Sequence, residues 1–286
     1  MELRGRTILV TGGSGFIGSN LVRRLVRGGA RVYALVRPSA VVWRLDDVAA
    51  EVTWIRAELT DSSAIRRGLE TAKPSVLLHL AGMTDLRWLS EGLGEVETSI
   101  EVNLKGTLNV LLAAAQSHAP VERFIRAGGL EEYGAGNHPH VETEREQPVS
   151  PYSASQAAAT HYCQMLAPHL PFAVLTLRLA LVYGPAQATR FFIPSLITHC
   201  LEGRDFEMSH GNQRRDLLHV DDVVEAFVRS VAAPQPASGI LNIASAAAPT
   251  MREVAAAILR LSGASIRLKV GKPQERFFDV PELCAS

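Results

Sequence analysis

An α/β chain built around a doubly wound parallel sheet, with a smaller lobe at its C-terminal end, is what this sequence predicts. Three observations carry that reading. Short β-branched runs alternate with amphipathic helical patterns through the first two thirds of the chain, and such alternation places strands in a parallel sheet covered by helices on both faces. From about residue 184 the alternation gives way to isolated helices separated by short extended pieces. The 286 residues are enough for one large domain carrying a smaller lobe. The expected division is 1–183 and 184–286.

The elements follow in order. "TILVTG" reads as the first strand and "NLVRRLVRGG" as the first helix, followed by "RVYALV" and "EVTWI" as strands and "SAIRRGLETA" as a helix. "SVLLHLAG" gives a fourth strand, "NLKGTLNVLLAAAQSH" a helix and "RFIRAGG" a strand. "YSASQAAATHYCQMLAPH" then reads as a helix and "FAVLTLRLALVYG" as a strand. In the smaller lobe, "FFIPSLITHCLEG", "VDDVVEAFVRSV" and "MREVAAAILRLSG" carry helical periodicity.

Composition excludes several classes. The 29 basic and 29 acidic side chains cancel, so no net field selects nucleic acid or an anionic membrane. No stretch approaches the length of a membrane span. Cys163, Cys200 and Cys284 stand far apart without CxxC spacing, which argues against a disulfide frame or a metal site and for a reducing compartment. A soluble, cytoplasmic protein is expected.

The segment "TILVTGGSGFIGSNLVRRL" sets Gly12, Gly15 and Gly18 between the first strand and the first helix, with Phe16 and Ile17 in the same turn. Glycines there let the backbone turn tightly and approach a pyrophosphate, while the helix N-terminus offers amides and a positive dipole end. Dinucleotide binding is the reading. At the tip of the second strand Val36 stands where a carboxylate would receive ribose hydroxyls, and Arg37 follows. A guanidinium there pairs with a 2′-phosphate, so NADP(H) is favoured over NAD(H); the alternatives for Arg37 are a solvated surface residue or a stack on adenine. Glu58, Leu59, Leu80, Ala81, Gly82 and Asn103 fall beside the expected cofactor path.

Taken together, "TGGSGFIG", "HLAG", "NLKGT", "SPYSASQ", "LRLALVYGP" and "RRDLLHVDDVVEA" resemble, in order, the extended short-chain dehydrogenases/reductases of the NAD-dependent epimerase/dehydratase group. The resemblance implies a Rossmann-type fold, a nicotinamide cofactor, a nucleotide-activated sugar as substrate and a homodimer through a four-helix contact. It also implies a relay of a Ser or Thr, a tyrosine and a lysine one helical turn later. Tyr152 matches the tyrosine, whereas Gln156 stands for the lysine and Gly129 for the hydroxyl residue. Without a nearby cation a phenol stays near its reference value of about 10, protonated at neutral pH and better suited to donating a proton to a ketone's oxyanion than to removing one. Keto-sugar reduction with Tyr152 as donor is therefore the main expectation, and Gln156→Lys with Gly129→Ser is expected to restore the relay. An epimerase or dehydratase using Glu131, which matches an acid/base position of the family, is one alternative. A catalytically impaired cofactor-binding sensor or subunit is another. The resemblance assigns Arg215 to the substrate diphosphate, with Arg276 as a second phosphate contact, and gives His219 and Asp222 structural roles. The chain stops at "ELCAS", where family members continue, so a shortened chain or an incomplete substrate lobe is expected.

Overall fold

The computed structural model describes residues 3–83, 94–136, 138–234, 237–271 and 280–286. Arg276 lies outside them. Seven parallel strands form the main sheet: β1 (Thr7–Thr11), β2 (Arg31–Val36), β3 (Val52–Arg56), β4 (Val76–His79), β5 (Arg123–Gly129), β6 (Ala173–Leu179) and β11 (Gly239–Ile243). Their order across the sheet is β11-β6-β5-β4-β1-β2-β3. The chain runs outward from β1 in one direction, then restarts at β4 in the other, which opens a crevice at the C-terminal ends of β1 and β4.

Alternation along each strand feeds two cores. Ile8 and Val10 of β1 and Val76 and Leu78 of β4 face one side, where they meet Leu21, Val22 and Leu25 of α1 (Phe16–Arg27). Leu9 and Leu77 face the other side, against Ile65 and Leu69 of α2 (Ser62–Ala72). Both faces are apolar because both are covered. After α3 (Gly94–Ser99) a π-helical turn, Ile100–Lys105, leads into α4 (Gly106–Gln116). Val110 and Leu111 of α4 and Cys163 of α5 (Pro151–Leu166) pack on the α2 side. Among the described residues no helix is long and apolar enough to cross a membrane.

The layers do not divide at residue 183. After β7 (Leu181–Tyr183), α6 (Phe192–Glu202), β8 (Phe206–Met208), β9 (Arg214–Arg215) and β10 (Leu217–His219), the chain returns to the main body. Helix α7 (Val220–Ala232) buries Val223, Phe227 and Val231 in the α1-side core, and β11 pairs with β6 from Gly239 opposite Leu175 to Ile243 opposite Leu179. The lobe proper has its own small core, in which Leu196, Cys200, Phe206 and Met208 meet Ala255 of α8 (Met251–Ser262). Two parallel pairs complete it, β12 (Leu268–Val270) on β8 and β13 (Glu282–Leu283) on β9.

Candidate active site

The glycine turn is dictated by close approach. Gly12 has φ +71°, and a Cβ there would stand 2.7 Å from the backbone nitrogen of Ala81. A Cβ on Gly18 would fall 2.1 Å from the Gly12 carbonyl oxygen, so α1 seats directly on the turn. Gly15, in contrast, is exposed and meets only that same carbonyl at 3.2 Å. It caps α1 with no side-chain hydrogen bond, and the first turn of α1 carries no acidic residue. An open, uncapped helix N-terminus over a turn too tight for any side chain fits the pyrophosphate of a dinucleotide.

Across the crevice, His79 at the tip of β4 is buried between the hydroxyls of Thr11, 2.8 Å away, and Thr107, 3.0 Å away. Burial, with Arg126 nearby, pushes its pKa down to about 3, so it stays neutral and fixes the strand tip that carries Leu80, Ala81 and Gly82. Thr11 also accepts a hydrogen bond from the Ala81 amide at 3.2 Å. Asn103 pins the next residue: its Oδ1 accepts from the Met83 amide at 2.7 Å, and its Nδ2 donates to Ser155 Oγ at 3.0 Å. Leu59 is buried beneath Gly106, and Glu58 and Arg37 lie exposed at the rim.

Tyr152 sits in the first turn of α5. Ser150 caps that helix by accepting from the Ser153 amide at 3.1 Å, and Ser153 Oγ accepts in return from the Ser150 amide at 2.9 Å, with Pro151 opening the helix. Opposite stands the end of β5. Gly129 has φ −143° and ψ 154°, ordinary extended backbone, so glycine is there for space. A Cβ at that position would lie 2.5 Å from a carboxylate oxygen of Glu131 and 3.8 Å from the Tyr152 hydroxyl. The Glu131 carboxyl thus occupies the room that the hydroxyl residue's side chain would fill, and Gly129→Ser by itself collides with it. Desolvation, against the opposing pull of Arg215, holds the Glu131 carboxyl above its usual range. Tyr152 is likewise held above its ordinary value, by desolvation first and then by Glu131 and Glu132, with Arg126 opposing. The phenol therefore does not rest near 10 as its sequence context implied; its neighbours hold it more firmly protonated.

The cation missing from α5 comes from the sheet. Arg126 of β5 is fully buried, donates to the Gln156 side-chain oxygen, and bonds the Gln156 carbonyl at 3.1 Å and Thr160 Oγ1 at 2.7 Å. Glu132, also fully buried, lies 3.7 Å from Arg126 and accepts from Arg178 of β6 at 2.9 Å; Arg178 in turn donates to Glu146 at 2.5 Å. Gly128 is required here, since a Cβ would be 2.3 Å from a Glu132 oxygen. The sequence reading missed this network. Its signal was two arginines, in "RFIRAGG" and "TLRLAL", within strands buried on both faces, where charge survives only when paired.

Arg215 bonds the carbonyls of Arg214 at 2.8 Å and Pro281 at 3.4 Å and lies close enough to Glu131 to act on its carboxyl. Asp216 is buried and bonds the amide and hydroxyl of Ser245 at 2.8 and 2.7 Å, which locks the adjoining loop. His219, not Asp222, caps α7, accepting from the Asp221 amide at 3.3 Å. Glu131 thus lies near both the Tyr152 hydroxyl and Arg215, and the Gln156 amide lies beside Gly82 just past the tip of β4.

A parallel doubly wound sheet with this turn and an acid/phenol pair at its crevice defines a dinucleotide-dependent enzyme of the Rossmann class. The model of the NAD dependent epimerase/dehydratase family matches residues 8–244, and the chain belongs to that family. It is 32% identical over 255 residues to dTDP-D-glucose 4,6-dehydratase of Homo sapiens, covering 83% of this chain and 69% of the relative. It is 30% identical to dTDP-glucose 4,6-dehydratase of Xanthomonas campestris pv. campestris (strain B100), covering 94% and 80%. Two solved structures superpose with TM-scores of 0.85: MoeE5 in complex with UDP-glucuronic acid and NAD, at 29% identity over 98% of this chain and 89% of that one, and the UDP-glucose 4-epimerase of Thermus thermophilus in complex with NAD, at 28% over 98% and 90%.

Proposed function

We propose that this protein is a nucleotide-sugar dehydratase or epimerase that holds its dinucleotide through each turnover. One observation carries the reading: Glu131 fills the space left by Gly129 and stands beside the Tyr152 hydroxyl, which puts two proton-exchanging groups at the mouth of the crevice. When bound, the dinucleotide supplies a reversible acceptor and donor of hydride. Gly12, Gly15 and Gly18 with the α1 amides would hold its pyrophosphate, and Leu80, Ala81, Gly82 and Gln156 would flank its nicotinamide half. Tyr152 would act on the oxygen of the sugar hydroxyl that becomes a ketone: its neighbours hold it protonated, so it is set to return a proton when that ketone is reduced, and it takes one on oxidation only through its minor phenolate form. Glu131, whose carboxyl is held above its usual range, is placed for the second proton, removed from the carbon next to that ketone or given to a departing hydroxyl. Arg215 would pair with the diphosphate.

Net reduction of a keto sugar, the main expectation from sequence, is the weaker reading, since both kinds of relative named above support the dehydratase and epimerase chemistries. NADP(H) in preference to NAD(H) keeps the support of Arg37 and gains that of Arg56, whose guanidinium bonds the carbonyls of Pro38 and Ala40 at 2.8 and 3.3 Å beside the β2 tip. Free, buried Cys163, Cys200 and Cys284 support a cytoplasmic setting. Exposed Leu112 on α4 and Tyr162 and Met165 on α5 support a homodimer through those helices.

The test is incubation of purified protein with dTDP-glucose and UDP-glucose, followed by mass spectrometry for loss of water and NMR for inversion of a ring hydroxyl. Glu131→Gln is expected to lower turnover by roughly 100-fold or more with dinucleotide affinity unchanged. Wild-type turnover in that variant overturns the assignment of Glu131, and net consumption of NADPH with a keto sugar overturns the class in favour of a reductase.

A further inference from the structure

Gln156 is held at its oxygen end by a group that can only donate. Arg126 gives one N–H to the side-chain oxygen of Gln156 and shares the same nitrogen with its backbone carbonyl. A guanidinium has no acceptor, so the amide has one orientation, with its NH2 turned the other way. That nitrogen comes within 3.5 Å of the point where a Cβ on Gly82 would lie, at exposed backbone on the crevice floor. Among the described residues no protein acceptor takes it. Arg126 is itself immobilised by Thr160 and by Glu132, the carboxylate it shares with Arg178.

We propose that Arg126 is a positioning residue that locks the Gln156 amide with its NH2 facing the crevice, so that the pair together presents a neutral hydrogen-bond donor to the dinucleotide's nicotinamide half. The proposal rests on the dinucleotide site described above and needs no sugar substrate. It reverses one expectation from sequence. Gln156→Lys does not restore a missing cation, because its ammonium would be driven against the guanidinium of Arg126 in a dry space where like charges repel strongly.

Calorimetric titration with NADH and NADPH, alongside thermal unfolding, tests this. Gln156→Glu keeps two acceptor oxygens for Arg126 and removes the donor. It is expected to leave Tm unchanged or raised while the affinity for the preferred dinucleotide falls about tenfold. Gln156→Lys is expected to lower both Tm and affinity, and Arg126→Met/Gln156→Lys to regain affinity to within about threefold of wild type, since the ammonium then stands alone. Gln156→Glu binding as wild type, or a double variant no better than Gln156→Lys, overturns the proposal. Should the double variant not fold, Gln156→Glu decides by itself. Wild-type protein that binds no dinucleotide removes the proposal with its site. Protein that binds dinucleotide but converts no nucleotide sugar removes the proposed function and leaves the titration as the test of Arg126.

Discussion

The β1–α1 turn and the β5–α5 junction both line the crevice, yet they are held by different physics. The turn is a local object: Gly12 needs φ +71°, and Gly18 must lack a Cβ because one would lie 2.1 Å from a carbonyl six residues earlier. The junction is assembled at long range, with Arg126 from β5, Glu132 from the turn that follows, Thr160 from α5, Arg178 from β6 and Glu146 from the loop before α5. Backbone sterics build the first, within the turn itself apart from the approach of Gly12 to Ala81, and compensation of buried charge builds the second. A local rule can be read in one sequence, whereas a charge balance needs all its members in place.

The comparison breaks first at Glu132. Removing its charge leaves Arg126 without a carboxylate partner and Arg178 with Glu146 alone, and breaking a buried pair in this way costs about 3–5 kcal/mol. Glu132→Gln is expected to lower the denaturant midpoint accordingly, with the slope unchanged. A loss below about 1 kcal/mol would mean that packing, not charge, organises the junction. Gly18→Ala is the matching test of the turn. Overpacking against backbone is expected to cost about 1–3 kcal/mol and to abolish calorimetric dinucleotide binding, whereas Gly15→Ala, on the exposed side of the turn, should weaken binding with little change in Tm.

A smaller effect sharpens the boundary between the two regions, where His79 packs. Its pKa is depressed to about 3 from an ordinary 6.5, so in that window the unfolded chain binds a proton that the native state refuses. Stability therefore falls as pH drops below about 6.5, with a slope of up to about 1.4 kcal/mol per pH unit from this group. Glu131 works in the opposite sense. Its raised pKa means the native state holds a proton the unfolded chain has released, so its contribution is lost as pH rises above the ordinary carboxylate range. Chemical denaturation at stepped pH should show a shallower slope between about pH 6.5 and 5 in His79→Gln than in wild type; an identical slope would show that His79 does not carry it. The smallest effect belongs to the rim: Arg37→Ala should reduce any preference for NADPH over NADH by roughly tenfold, read as a ratio of dissociation constants.

Much of the site was legible before folding. The glycine turn and Tyr152 on its helix each follow from a motif whose neighbours in sequence are its neighbours in space, whereas Arg215 came from the family resemblance and meets Pro281 and Glu131 from distant parts of the chain. Gly129 and Gln156 were legible only as gaps. Their meaning lay in Glu131 and Arg126, one of which occupies the vacant volume while the other stands behind the amide. The return of α7 and β11 to the main body was hidden as well, because an amphipathic helix and a short strand do not say which sheet they join.

The sequence by itself determined the parallel α/β layering, the glycine turn after β1 and the capped helix that carries Tyr152, since strand period, glycine geometry and helix capping act over a few residues. Only the tertiary structure decided where the cation sits, which carboxyl takes the place of a hydroxyl and in which direction the Gln156 amide points. Those outcomes depend on which charges are buried together, and a buried charge is stable only where its partners, brought from distant parts of the chain, are all present.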